Sequence, residues 1–532
     1  MGIYLDNNSS SPIDERVLAV MADTYLNSYG NADSRTHNHG EQARQIVENA
    51  RKQVASLLRI DSSEVFFTSG STESNNIAIQ GLEEYALETN KKHIITSAIE
   101  HKSVLETVKM MKKKGFEVDI VKPDISGQIN VQEILNKVGD NTLLVSIMHV
   151  NNETGIIQPV DRLGEELEKR NILFHVDATQ SCGKLVDEIR NLKYNMLSFS
   201  AHKLKGPQGV GVLVLKKKRY KLPPVKNIMY GGQQEHGIRP GTIPVALVAG
   251  CGKACEIAER EFKENIQKCK SLKDILEGLL NESGVDYHYN GDQHCCMDSS
   301  ANICFKGVMS EALMLSSKQY CSVSNGSACT SKSYSPSYVL QAMGIPEKDI
   351  ESSIRISWGP ETNEIEFRDN INKMIEIAKS LDENPNGLLL LRRANHLNDG
   401  IIVNGGVLEY IGNISTNNVR EVLTFILADG FYNFSDWNYQ KETEIESIIL
   451  DGGKSLPYSS AITAGAIDWY ITNPIRGIHK NDESILLDDA NAISENKSAK
   501  FSNFMEAKEW DDEDFYDDTE EESGWDGWDF EE

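Results

Sequence analysis

The chain has 532 residues, a formal net charge of −26 and nine cysteines, none of them in a Cys-x-x-Cys pair. Its length suits roughly three domains, its charge would repel a phosphate backbone, and its cysteine and histidine spacings match no zinc site. Because no signal segment and no apolar run of about 18 residues is present, we expect a cytoplasmic protein with reduced thiols, without direct nucleic-acid or membrane binding and without a metal.

The N-terminal residues predict a short extended segment, a polar loop and two helices. Residues 3–5 are extended, and the loop DNNSSSP follows at 6–12. Apolar residues at helical spacing predict one helix from Glu15 and a second over about residues 42–58. After that, strands alternate with helices, which is typical of a doubly wound α/β domain.

The first strand of this domain, residues 65–67, runs into the turn TSGSTESNN at 68–76 and then into a helix. Such a turn places free backbone N–H groups and hydroxyls around an anion, with Ser71 and Thr72 as donors. An ordinary helix-capping cluster would have the same composition, and that alternative stays open.

Two further strands, residues 93–96 and 143–148, are also followed by polar side chains. His101 follows the first, where it would either lie flat on a pyridine ring or cap the next helix. Asn152 follows the second. Because parallel strands end at one edge of a sheet, these residues are expected to face a common crevice.

Residues 172–203 contain two more buried apolar runs, the first ending on Asp177 and the second on Lys203. An acid and an amine at this edge suit pyridoxal phosphate (PLP). The lysine forms a Schiff base with the aldehyde, and the carboxylate keeps the ring nitrogen protonated. The alternative is a chance acid and a chance lysine at two strand ends.

Beyond Lys203 the pattern predicts a polar loop at 231–242, a long helix to about residue 280 and a smaller α+β region. In that region Cys329 lies among small polar residues, unlike a buried structural cysteine, and is the candidate reactive thiol. Arg355 lies in an apolar extended segment. A buried arginine needs an anion, which would be either a substrate carboxylate or an internal salt-bridge partner.

Eight short motifs, taken together, resemble those of cysteine desulfurases of the NifS/IscS kind, which are class V aminotransferase-like enzymes of PLP fold type I. The motifs are YGN at 29–31, TSGSTES at 68–74, EHK at 100–102, NNE at 151–153, HVDATQ at 175–180, SAHK at 200–203, RPGT at 239–242 and GSACTS at 326–331. Ala32, Ala201 and Pro240 depart from the usual family pattern. None of the three is expected to touch a reacting atom.

The resemblance implies an α/β fold with a large PLP-binding domain over residues 16–244 and a small α+β domain from residues 1–15 and 245–381. It also implies a homodimer and a role for each matching residue. Lys203 would carry PLP, Asp177 would pair with its ring nitrogen, Gln180 would bond its phenolic oxygen, and His101 would stack on the ring. The phosphate would be held by Ser71, Thr72, Ser200 and His202, with Thr242 coming from the second subunit, while Asn152 and Arg355 would bind the substrate carboxylate.

The predicted function is therefore a cysteine desulfurase that converts L-cysteine to L-alanine and leaves the sulfur on Cys329 as a persulfide. The released Lys203 amine would take the Cα proton, and the Cys329 thiolate would attack the substrate sulfur. A sulfur-acceptor protein would serve iron–sulfur assembly, tRNA thiolation or DNA modification. The alternatives are a selenocysteine lyase or another class V PLP enzyme, and a platform subunit of a sulfur-handling complex.

The last third of the chain predicts a separate module. Residues 382–387 read as a linker, and 388–480 as a mainly helical module with helices at 388–391, 419–427 and 461–471. Residues 403–410 weakly resemble a motif of small helical domains of the DUF4375/DMP19 type. Residues 481–532 are predicted to be an acidic disordered tail, because 506–532 alone hold fifteen acids and one lysine. The tail would either solubilise the protein or fold onto a basic partner.

Overall fold

The computed structural model describes residues 2–326 and 336–383 and, further along the chain, five strands between residues 400 and 479. The chain divides into two compact units, Met1–Glu383 and Asn384–Glu532.

The first unit alternates strands and helices along most of its length. In chain order its strands are β1 (Ile3–Tyr4), β2 (Val65–Thr68), β3 (His93–Ser97), β4 (Glu117–Val121), β5 (Thr142–Met148), β6 (Leu173–Asp177), β7 (Met196–Ser200), β8 (Gly211–Leu215), β9 (Tyr287–Tyr289), β10 (Ser300–Phe305), β11 (Cys321–Ser322) and β12 (Ser353–Ser357). Its helices are α1 (Glu15–Asn27), α2 (Asn38–Leu58), α3 (Ser71–Gln80), α4 (Glu83–Thr89), α5 (Lys102–Lys113), α6 (Val131–Lys137), α7 (Val160–Arg170), α8 (Val186–Asn191), α9 (Val245–Ser283), α10 (Ser310–Ser317), α11 (Tyr338–Ala342), α12 (Glu347–Glu351) and α13 (Glu364–Glu383).

Seven strands form the large sheet, in the order β2-β8-β7-β6-β5-β3-β4. All of them run parallel except β8, which is antiparallel to both of its neighbours. Alternate residues of one strand serve opposite cores: Val65 and Phe67 pack with α2 and α9, whereas Phe66 packs with α3 and α5. Helices therefore cover both faces, which explains why these strands read as continuous apolar runs. The predicted doubly wound α/β fold is confirmed.

A third core belongs to a smaller antiparallel sheet in the order β12-β10-β9. Besides the strands, this core contains Leu5 and residues of the second half of α9 and of α13. Trp358 is buried in it against Phe367. The 39-residue helix α9 serves two cores, because its residues up to Phe262 pack against the large sheet and those from Cys269 pack against the small one. The exact domain boundaries stay a prediction.

The N-terminal loop runs from the small sheet to the large sheet. Strand β1 pairs in parallel with β11, and Asp6 forms a bridge with Ser357 at the end of β12. The chain then crosses to the large sheet, where the Ser11 backbone N–H donates to the His202 carbonyl (2.9 Å). Residues 6–11 are thereby held over the carboxyl ends of the large-sheet strands.

In the second unit the described residues are strands. They form an antiparallel pair, β13 (Gly400–Asn404) with β14 (Val407–Ile411), and an antiparallel sheet of β15 (Ser447–Leu450), β16 (Ser455–Pro457) and β17 (Ile475–His479). The sequence analysis predicted none of them. The three predicted helices and the acidic tail lie outside the described residues. Because residues 403–404 and 407–410 fall on strands, the resemblance of this segment to a helical domain is not supported. In the parts of the chain that the structure describes, no helix is both long and apolar enough to cross a membrane.

Candidate active site

The carboxyl edge of the large sheet brings predicted residues together. Strand β6 ends at Asp177, and β7 ends at Ser200, which a 3-10 turn (Ala201–Lys203) follows directly. Helix α3, which follows β2, reaches the same place, because Asn75 Nδ2 donates to Asp177 Oδ2 (2.8 Å). The topology thus supplies a single crevice at the strand ends, as expected for an open α/β sheet.

The Lys203 amine points at the N-terminal loop. Its Nζ donates to the carbonyl oxygens of Asn8 and Ser9, both at 2.6 Å. The Asn8 carbonyl also accepts from Gln180 Nε2 (2.8 Å). Lys203 and Gln180 therefore meet at one backbone oxygen that the sequence analysis did not single out.

The Asp177 carboxylate is buried and surrounded by donors. Oδ1 accepts from the Thr179 backbone N–H (3.0 Å) and from the Thr179 hydroxyl, and Oδ2 accepts from Asn75. Donors to both oxygens fix the plane of the carboxylate. An acid held in this way is positioned to face a cationic ring nitrogen.

His101 caps helix α5. Its Nδ1 accepts from the Ser103 backbone N–H (3.1 Å) and lies 2.8 Å from the Ser103 hydroxyl. Burial lowers the pKa of His101, as do the positive charges of Lys203 and Lys102, whereas Asp177 acts in the opposite direction. The capping alternative is therefore observed, and stacking on a ring stays a prediction.

The first turn of α3 is where the sequence predicts an anion-binding cradle. Ser71 and Thr72 begin the helix, and the N-cap is Gly70, which has no side chain to cap the first turn, so the backbone N–H groups there suit a ligand. A Cβ on Gly70 would lie 3.7 Å from Ser200 Oγ, which places that hydroxyl beside the cradle.

His202 and Thr242 lie at the margins of the site. His202 Nδ1 is 3.2 Å from Ser10 Oγ, and burial, followed by the Lys203 charge, lowers the pKa of His202 to about 4. Thr242 is exposed, and across the described part of this single chain it makes no hydrogen bond with the other predicted site residues.

Arg355 is buried on β12 and already has an anionic partner. Its NH2 donates to Asp6 Oδ1 and to Ser9 Oγ (2.7 Å), and its NH1 donates to the Asn152 carbonyl (2.9 Å). The internal salt bridge, one of the two alternatives from sequence, is thus present. A role in binding a substrate carboxylate stays a prediction.

Around the N-terminal loop and Arg355, four buried polar atoms have no hydrogen-bond partner among the described residues. They are Asn8 Oδ1, Asn152 Oδ1, Gln180 Oε1 and Arg355 Nε. The residues that carry them are linked through Asn8, whose Nδ2 lies 3.4 Å from the Asn152 carbonyl. Because an unpaired buried polar group is costly, such a cluster is typical of a site that a polar ligand completes.

Sequence reasoning missed the residues that connect the site. Asp6, Asn8 and Ser9 were assigned to a loop, although their polar run directly before α1 was a usable signal. Asn75 and Ser103 lie within or beside recognised motifs and were not singled out. Cys329 lies outside the described residues.

The comparisons with known proteins agree with this geometry. The family model described as "Aminotransferase class-V" matches residues 3–367. The chain therefore belongs to the class V aminotransferase family.

Among its relatives is a protein named cysteine desulfurase IscS from Pasteurella multocida (strain Pm70). It is 43% identical over 381 residues, which cover 71% of this chain and 92% of that protein. A solved "NifS-like protein" matches with a TM-score of 0.66 and 36% identity, covering 72% of this chain and all of the other. The structure described as "SspA in complex with cysteine" matches with a TM-score of 0.60 and 33% identity, covering 68% of this chain and all of the other.

Within class V, the chain is thus similar to cysteine desulfurases of the IscS kind and to a NifS-like protein, as the motifs predict. Both the class V aminotransferases and the cysteine desulfurases are PLP-dependent families.

Proposed function

We propose that this protein converts L-cysteine to L-alanine and transfers the sulfur to Cys329 as a persulfide for delivery to an acceptor protein. The observation that carries the proposal is the position of Ser9. Its carbonyl accepts from the Lys203 amine, and its hydroxyl accepts from the Arg355 guanidinium. A group that can abstract a proton and a group that can bind a carboxylate are therefore separated by one residue, which is the span of a small amino acid.

The described residues fit PLP. The donor-ringed Asp177 suits a protonated ring nitrogen, and the open first turn of α3 suits a phosphate. Lys203 would carry the cofactor. When bound, PLP would supply an electron-withdrawing ring that acidifies the substrate Cα–H and makes the sulfur electrophilic. The remaining cofactor contacts would come from His101, Gln180, Ser71, Thr72, Ser200, His202 and the partner subunit's Thr242.

The side chains of this chain would then act in sequence. The Nε of Arg355, a donor without a partner among the described residues, would donate to the substrate carboxylate, and the Asn152 side chain would donate to it through its amide nitrogen. The Lys203 amine would take the Cα proton. The Cys329 thiolate would attack the substrate sulfur, so that an S–S bond forms while the Cβ–S bond breaks and the electron pair returns to carbon. Protonation of that carbon and return of a proton from the Lys203 amine to Cα would yield alanine.

The proposal includes a homodimer. Helix α1 and the residues after it expose large apolar side chains on this chain, including Tyr25 (59% exposed), Leu26 (74%) and Tyr29 (73%). Tyr230, next to the loop that bears Thr242, is also exposed. Such a set is typical of a protein–protein interface. The cytoplasmic location and the identity of the acceptor stay predictions.

The test is Cys329→Ser, in which a weak nucleophile replaces the thiolate. We expect alanine production from L-cysteine to fall by orders of magnitude while PLP content stays near that of the wild type. Cys295→Ser is the matched control, because Cys295 lies half-buried at the end of a short 3-10 helix (Gln293–Cys295) and should be dispensable.

A selenocysteine lyase or another class V enzyme would not need this thiol. Near-normal alanine release from Cys329→Ser would therefore overturn the proposal, and the same loss in Cys295→Ser would show that the effect is not specific to position 329.

A further inference from the structure

We propose that Asn75 and Ser103 form a hydrogen-bond relay that connects the Asp177 carboxylate to the His101 imidazole and holds His101 as its neutral Nε2–H tautomer. The inference rests on the proposed function only in that His101 and Asp177 are taken as residues of the active site. The relay itself is defined by contacts within this chain. Asn75 and Ser103 are positioning residues in it, since they act through His101 and Asp177.

The proton on His101 can be located from its backbone contact. The Ser103 N–H donates to His101 Nδ1 (3.1 Å), and a backbone amide can only donate. Nδ1 therefore carries no proton and accepts. The Ser103 hydroxyl, 2.8 Å from the same nitrogen, must be the donor in its contact as well. A neutral imidazole then carries its hydrogen on Nε2.

The next link fixes the direction of the relay. Asn75 Nδ2 is 2.9 Å from Ser103 Oγ and 2.8 Å from Asp177 Oδ2. An amide nitrogen has two hydrogens, so it can donate to both acceptors at once. The Asp177 carboxylate keeps this nitrogen, rather than the amide oxygen, facing it. Ser103 Oγ then accepts from Asn75 and donates to His101, which leaves no conflict along the relay.

The residues of the relay are buried, which strengthens its hydrogen bonds. Asn75 is fully buried, Asp177 is 3% exposed, and Ser103 is 8% exposed. Hydrogen bonds in such surroundings are strong, and a reversed donor is not compensated by water. Protonating Nδ1 would put an N–H against two donors, which adds to the lowering of the His101 pKa by burial and by Lys203 and Lys102. His101 therefore keeps an N–H at Nε2 to offer a ligand and cannot use Nδ1 as a base.

The test measures the pKa of His101 in the full chain, with and without added PLP, by mass spectrometry of hydrogen–deuterium exchange at the histidine C2 carbon. We expect Ser103→Ala, which removes the hydroxyl donor and keeps the backbone N–H, to raise that pKa by about half a unit or more. Asn75→Leu should shift it in the same direction. Ser103→Thr, which restores a hydroxyl, should return it to the wild-type value.

Asn76→Leu is the matched control, because Asn76 is the neighbouring amide on α3 and donates to the Thr72 carbonyl instead of to the relay. It should leave the His101 pKa unchanged. An unchanged pKa in both Ser103→Ala and Asn75→Leu would overturn the proposal, as would an ordinary or elevated pKa in the wild type. Because this readout needs no turnover, it separates failure of the relay from failure of the desulfurase proposal, which the Cys329→Ser result decides.

Discussion

Two buried arginines of the first unit have different hydrogen-bonding environments. Arg51 on α2 forms a bidentate pair with Glu235 (2.8 and 2.7 Å), donates to the Val65 carbonyl (2.6 Å), and uses its Nε on Glu48 (3.2 Å). Arg355 on β12 uses only its two terminal nitrogens and leaves its Nε without a partner among the described residues.

This difference separates a structural arginine from one that is available to a ligand. Arg51 ties the loop around Glu235 to the base of the large sheet, and Glu235 also accepts from the Phe67 backbone N–H (2.8 Å). Each of the three guanidinium nitrogens of Arg51 thus has a partner within the fold, and both carboxylate oxygens of Glu235 are used, so the pair has a structural role. Arg355 retains an unused donor beside Asn152 and close to Lys203, so a carboxylate can still be added to it.

Removing Arg51 should have the largest effect on stability. In Arg51→Met, Glu235 stays buried without its cation, and we expect the free energy of unfolding to fall by about 3–5 kcal/mol. Urea unfolding followed by circular dichroism measures this. The double variant Arg51→Met/Glu235→Met should recover much of the loss, since no charge is then left unpaired. A loss below about 1 kcal/mol in the single variant would contradict the structural role.

Arg355→Met should affect catalysis more than stability. The side chain of its partner Asp6 is 19% exposed, whereas that of Glu235 is 1% exposed, so Asp6 can be solvated when the arginine is lost. We expect a destabilisation of about 1–2 kcal/mol and a fall in kcat/KM of about 100-fold or more, mostly through KM. Steady-state alanine formation measures the second effect. An unchanged KM with a stability loss equal to that of Arg51→Met would make the two arginines equivalent.

The strands and the residues at their ends could be predicted from the sequence, whereas the contacts between distant residues could not. Strands such as β5 and β6 were predictable because a buried parallel strand reads as a local apolar run. Asp177 and Lys203 could then be located, since Asp177 ends β6 and Lys203 lies just after the end of β7. The contact of Asn8 with Lys203 spans 195 positions, and no local pattern specifies such a pairing.

The direction of the side chains could not be predicted from the sequence either. Whether Arg355 meets an internal acid or a ligand, and whether His101 caps a helix or faces a ring, depends on tertiary contacts. The polar residues Asn75 and Ser103 resemble any others in a helix until their partners are known. Strands β13 and β14 were missed although apolar, β-branched residues flank an Asn-Gly pair at 404–405, which is a typical hairpin signal.

Glu100, unlike Glu235, is a buried acid that receives its hydrogen bonds from neutral groups. Its Oε1 accepts from Ser97 Oγ (2.6 Å) and from the Met148 backbone N–H (3.0 Å), and its Oε2 has no partner among the described residues. Burial is the main cause that raises the pKa of Glu100 from 4.5 to about 8, and the charge of Asp177 adds to it. Near neutral pH this side chain is therefore mostly protonated in the folded protein.

The sign of the pH dependence follows from proton binding. Between pH 4.5 and about 8 the folded chain holds a proton on Glu100 that the unfolded chain releases, so this group stabilises the fold at low pH and the contribution is lost as pH rises through 8. Glu100→Gln stays neutral throughout. We expect it to gain about 3–4 kcal/mol relative to the wild type between pH 5 and 8, measured by urea unfolding at each pH. The exposed Glu376→Gln should show no such trend. A wild type and a Glu100→Gln variant whose stabilities change in parallel with pH would mean that Glu100 ionises normally in the folded protein.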